Sequence, residues 1–133
     1  GLDVFFQGGS ESSEFRKHLD ALEKKKNDFA ENALAFHPPQ SASDADLVWN
    51  LIEEAKEVML YLRQAGAFVS CLEAQNMHDR KADSLRAEVT SLSADFSSTF
   101  TKFQQQLSDC SLVRCLSRVR YRSELWLGNT AMR

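Results

Sequence analysis

The sequence predicts an all-α protein: an antiparallel bundle of three long amphipathic helices, with room for a short fourth helix at the C-terminus. Three observations lead there. Three successive segments repeat apolar residues at spacings of three and four, the signature of a helix with one buried face. Turn punctuation is sparse, with five Gly and two Pro in 133 residues, three of the Gly in the first nine, too little for a β-rich domain. Apolar residues make up 43% of the chain and include nine Phe, enough to bury a core in one domain and to disfavour disorder.

Residues 1–10 read as an engineered tag and linker. Leu2 to Gly8 resemble a viral 3C-type protease recognition sequence, followed by a Gly-Ser spacer. They are expected to contribute nothing to function. The bundle is expected over residues 11–108, and an atypical basic tail over 109–133.

The first helix is predicted from Ser12 or Ser13 to Phe36, opened by a Ser/Glu capping signal. Phe15, Leu19, Leu22, Phe29, Ala33 and Phe36 form its stripe, and Lys26 occupies the position where an apolar residue is missing. His37-Pro38-Pro39 ends it, because proline lacks the donor and disfavours helix just before itself.

The second helix is predicted from near Ser43 to about Met77, roughly 50 Å at 1.5 Å per residue. Asp44 and Asp46 suit its positive N-terminus. Its stripe is Leu47 or Val48, then Leu51, Ala55, Val58, Leu62, Ala65, Val69 and Leu72. Gly66 costs about 1 kcal/mol in a helix interior and is read as a point of close packing or a bend.

Asn76-Met77-His78-Asp79 is the predicted turn, with Asp79 capping the third helix. That helix has the cleanest period: Ala82, Leu85, Val89, Leu92, Phe96, Phe100 (or Thr99), Phe103 and Leu107. From Asp109 the composition shifts to Arg and Cys, and Leu112, Leu116, Val119 and Trp126 outline the optional fourth helix. A vector-derived or out-of-frame origin is an alternative for this tail.

Charge and cysteines exclude several classes. Residues 1–111 carry 11 Lys+Arg against 18 Asp+Glu, whereas residues 112–133 carry five Arg and one Glu. An acidic body argues against a nucleic-acid partner. Arg114, Arg118 and Arg122 align at helical spacing and are expected to dock on the chain's own acidic helices. Three cysteines with no secretory signal point to reduced thiols and a cytoplasmic location. No apolar run approaches the roughly 18 residues of a membrane span.

Residues 62 to 107 carry a resemblance. Leu62-Arg-Gln-Ala-Gly-Ala-Phe-Val-Ser-Cys71-Leu-Glu-Ala-Gln-Asn76-Met-His-Asp79-Arg-Lys-Ala82, followed by an Ala/Leu-rich helix, is similar to the N-terminal helical region of the oligoendopeptidase F family of thimet-like zinc metallopeptidases. Residues 14–61 follow that region loosely. The resemblance implies a helical hairpin walling a substrate channel, with a His-Glu-x-x-His zinc helix far downstream. No such motif occurs here, so the resemblance implies a fragment truncated before the catalytic motif, without the family's peptidase activity.

Candidate catalytic residues are weak. Cys71 lies beside the apolar stripe and needs a neighbouring base to become a nucleophile. His78 sits seven residues on, about 10 Å along the same helix, too far to serve. Lys26 in an apolar seam is a candidate desolvated amine; the simpler reading is a buried Lys26–Glu54 pair fixing register. Glu53, Glu54 and Glu57 cluster, but without the Glu-x-x-His that completes di-metal bundle sites. Weak metal candidates are Glu14 and His18 at i, i+4, together with His37 and His78.

The sequence therefore supports a non-catalytic, oligoendopeptidase-like bundle fragment that self-associates through exposed apolar helix faces as a homodimer. It predicts no cofactor, nucleic acid or membrane partner. The alternative is an autonomous small hydrolase acting on an ester or phosphoester. It would use a Cys/His/Glu site, or zinc, between helices or across a dimer.

Overall fold

The computed structural model describes residues 6–37 and 45–109. Three long helices follow one another: α1 Ser13–Leu34, α2 Ala45–Gln75 and α3 Arg80–Ser108. Among the described residues a 3-10 turn, Gly9–Glu11, precedes them. The predicted all-α antiparallel bundle is the observed architecture. The optional fourth helix and the docking of the arginine stripe lie outside the described residues.

α1 and α3 each begin where a side chain can satisfy free N–H groups. Ser12 Oγ accepts from the Phe15 N–H at 3.0 Å and is itself buried. Asp79 Oδ1 accepts from the Lys81 and Ala82 N–H groups at 2.9 and 3.1 Å. A short polar acceptor just outside the first turn replaces the missing intrahelical carbonyls. Between α2 and α3 the His78 N–H donates to Asn76 Oδ1 at 3.0 Å, and the Asp79 N–H donates to the Asn76 carbonyl at 3.1 Å. The polar cluster at 76–79 is thus a side-chain-braced turn.

Two predicted ends move inward. α1 stops at Leu34 rather than Phe36, although Phe36 still packs into the core. The Phe36 N–H bonds to the Ala33 carbonyl at 3.2 Å, a tight last turn just ahead of Pro38. α2 stops at Gln75, and Met77 projects outward at 78% exposure.

The three stripes face one another. Phe15, Leu19, Leu22 and Phe29 on α1 meet Ala55, Val58, Ala65 and Val69 on α2 and Ala82, Phe96, Phe100 and Phe103 on α3. Val48 takes the α2 position shared with Leu47, which is 62% exposed, and Phe100 takes the position shared with Thr99. Contacts between α1 and α3 rise in step along both helices: Arg16 with Glu88, Lys26 with Asp95, Phe36 with Phe103. α1 and α3 therefore run parallel, with α2 antiparallel to both.

Burying one Phe, Leu or Val side chain contributes about 1.5–3 kcal/mol, whereas an exposed ion pair contributes about 0–1 kcal/mol. The stripes hold the bundle together, and the interhelix ion pairs adjust its register.

Gly66 is not a point of close packing. A Cβ added there meets no atom within 4 Å. Among the described residues, no helix is long and apolar enough to cross a membrane.

The N-terminal segment is the largest departure from the sequence reading. Phe6, assigned to the tag, packs against the core. Gly8 and Gly9 both take positive φ, 104° and 60°, which only glycine adopts freely. This reversal sends residues 6–12 back along the bundle as a hook. A hydrogen bond from Ser10 to the Asp79 carboxylate and a Lys81–Glu11 ion pair at 3.7 Å tie the hook to the start of α3.

Candidate functional site

The most developed polar and aromatic constellation lies where α1 meets α2. His18 projects from the second turn of α1, one turn after the buried Phe15, and is half-buried. Its imidazole stacks on Tyr61 of α2, with centroids 4.5 Å apart and planes 7° from parallel. His18 Nε2 lies 3.0 Å from the Tyr61 carbonyl oxygen. A carbonyl oxygen can only accept, so Nε2 carries the proton and donates. Phe6 closes the cluster edge-on, 5.1 Å from the His18 ring and 4.9 Å from Phe68.

Lys25 completes the outer side. Its Nζ sits 5.0 Å from the Tyr61 ring centroid and 2.8 Å from Glu57 Oε1. The hydrogen bond to Glu57, helped by the charges of Glu57 and Tyr61, raises the Lys25 ammonium above its ordinary value. Tyr61 of α2 is thus contacted by both His18 and Lys25 of α1. The arrangement binds helix to helix and presents no nucleophile beside a base.

The residues singled out from sequence are dispersed. Lys26 does not pair with Glu54. Its Nζ reaches Asp95 Oδ2 on α3 at 3.3 Å, and its side chain is 15% exposed. Glu54 instead accepts from Asn32 Nδ2 at 2.8 and 3.2 Å. The reason is angular: Lys26 sits on the α1 face turned to α3, whereas Asn32 sits on the face turned to α2. Lys26 is therefore ion-paired to Asp95 of α3 and not to Glu54 of α2.

Cys71 is a free thiol, half-buried on α2. His78 is exposed in the α2–α3 turn, on the far side of Asn76 from the helix that carries Cys71. His37 is exposed just beyond α1, at the end opposite His78. Glu14 is exposed in the first turn of α1, and its i+4 neighbour His18 has committed Nε2 to a carbonyl. Among the described residues, no group of three or more His, Cys, Asp or Glu is placed to hold a metal ion.

Sequence reasoning missed His18–Tyr61, Phe6 and the Arg86 clamp. Arg86 on α3 donates to Glu73 Oε1 at 2.9 Å and to Ser70 Oγ at 2.8 Å, both on α2. The hydrogen bond from Arg86 holds the Glu73 carboxyl below its ordinary value, and Glu73 raises Arg86 in turn. Only the Gly8-Gly9 pair signalled any of these in advance, as a place where the chain can reverse. Against family models, characterised proteins and solved structures, the chain matches none.

Proposed function

We propose that the chain is a non-catalytic helical module, an oligoendopeptidase F-like fragment that associates with a second copy of itself. The observation that carries this reading is the use made of its chemically capable side chains. His18, Lys26 and Glu54 each spend their polar atoms on a neighbouring helix, at Tyr61, Asp95 and Asn32. The family component rests on the residues 62–107 resemblance, whose Asn76–Asp79 segment forms the turn that caps α3.

Self-association is supported by Leu34 and Leu47, 88% and 62% exposed. They lie at the end of α1 and the start of α2, so both project at one end of the bundle. Large aliphatic side chains presented together favour burial against a like surface.

The test combines light scattering after size exclusion with a hydrolysis screen on the same fractions. A dimer that becomes monomeric on Leu34→Glu with Leu47→Glu is expected, with no ester or phosphoester turnover following the protein peak. A monomer at high micromolar concentration would remove the self-association. Turnover that co-elutes and disappears with chelator or thiol alkylation would replace the reading with a hydrolase.

A further inference from the structure

The end of the bundle that presents Leu34 and Leu47 is also the end from which the chain leaves it. α1 and α3 run parallel and α2 opposes both, so the end of α1, the start of α2 and the end of α3 lie together. The Phe36–Phe103 ring contact, with centroids 5.4 Å apart, ties the first of these to the third. Leu34 and Leu47 are exposed there. Past Asp109 the chain continues for 24 residues, which lie outside the described residues.

Two leucines are too little for a stable contact between copies. Such an interface takes roughly 800 Å² from each partner, about 20–30 residues a side. The segment 110–133 carries what the leucines lack. Leu112, Leu116 and Val119 repeat at spacings of four and three, the pattern of one apolar helix face, and Trp126 follows them. Arg114, Arg118 and Arg122 repeat at four, the pattern of a second, cationic face. The leucine end has the complementary charge: Glu31 is exposed one turn before Leu34, and Asp46 is exposed beside Leu47. Over longer stretches the same contrast holds, with five Arg against one Glu in 112–133 and 18 Asp+Glu against 11 Lys+Arg in 1–111.

We propose that residues 110–126 of each copy cross to the Leu34–Leu47 end of the other, with the apolar stripe on the two leucines and the arginines toward Glu31 and Asp46. This rests on the reading that a second copy meets that end. A tail laid over its own leucines removes the surface that the second copy would meet. Reach does not forbid the crossing, since 24 extended residues span up to about 80 Å. Tail and patch sit at one end of the molecule, so a twofold axis satisfies both contacts at once. The exchange closes at two copies and leaves no free patch to recruit a third.

The experiment uses two full-length variants, each of which loses one half of the contact. Leu34→Glu with Leu47→Glu spoils the patch and keeps the tail. Leu116→Glu with Val119→Glu spoils the tail and keeps the patch. Circular dichroism checks the helix content of each, and Leu112→Glu replaces the tail pair if that variant misfolds. Sedimentation velocity is expected to give a dimer for the parent and at least tenfold weaker association for each variant alone. An equimolar mixture of the two variants is expected to regain a dimer, weaker than the parent's because one tail and one patch remain of two. Patch against patch, or tail against tail, cannot give that rescue, since each needs the same half from both copies. A mixture that stays monomeric overturns the crossing. A tail variant that dimerises as tightly as the parent, or more tightly, overturns it and leaves self-association through Leu34 and Leu47 standing. A monomeric parent, or a patch variant that stays dimeric, removes both.

Discussion

Lys26 of α1 and Asp95 of α3 form an ion pair in which one partner is nearly enclosed and the other is open, 15% against 61% exposed. The apolar stem of Lys26 fills the gap in the α1 stripe while its ammonium reaches the surface at Asp95. A long cationic side chain can thus take a seam position without burying an unpaired charge.

Replacing Lys26 with Met tests that division of labour. Met keeps the stem and drops the charge, and Asp95 stays solvated when its partner is removed. Urea unfolding of Lys26→Met is expected to stay within about 1 kcal/mol of the parent. A loss of several kcal/mol would mean that the charge itself holds α1 to α3.

Gly66→Ala is expected to stabilise the protein. The residue is interior to α2, its φ is not positive, and an added Cβ has open space around it. Alanine lowers the entropy of the unfolded chain and carries the better helix propensity, together about 0.5–1 kcal/mol. A thermal melt shifted upward confirms this, and a downward shift would show that α2 bends at Gly66 in solution.

Acid should loosen the start of α3 and the hook together. The hydrogen bond from Ser10, then that from the Ala82 N–H, hold the Asp79 carboxyl below its ordinary 3.8. Glu73 is held below its ordinary 4.5 by Arg86. A carboxyl whose folded-state value is depressed adds stability above its unfolded value, and that stability is lost as pH falls through the folded one. Asp79→Asn is therefore expected to be destabilising at neutral pH and to lose that penalty at a pH acidic enough to protonate Asp79 in the folded protein. Denaturation at the two pH values measures the difference, and an equal penalty at both would remove the carboxylate's role.

What could be read in advance follows from the range of each interaction. The Val89, Leu92, Phe96, Phe103 spacing and the Asp79 cap are set within a few residues, so the sequence displays them directly. The partner of Lys26 depends on the relative rotation of three helices, and the stripes alone leave that rotation free. His18 and Tyr61 are 43 positions apart, joined through a backbone carbonyl that any residue type would supply. The hook is hidden in the sequence because residues 1–10 resemble an added leader. A buried Phe6 depends on the room that Phe15 and Phe68 leave, whatever the origin of the segment.

The aromatic contacts fall into two groups, Phe6, Phe15, His18, Tyr61 and Phe68 near the hook, and Phe29, Phe36, Phe96, Phe100 and Phe103 toward the far end. The first closes over a short segment outside the three long helices; the second is clasped between two of them. Cooperative units in a protein open in order of the free energy that closes them. Amide hydrogens of the hook and the first turn of α1 should accordingly exchange with solvent long before those of α3 around Phe96 to Phe103, so that the bundle breathes from one end while the other keeps its shape.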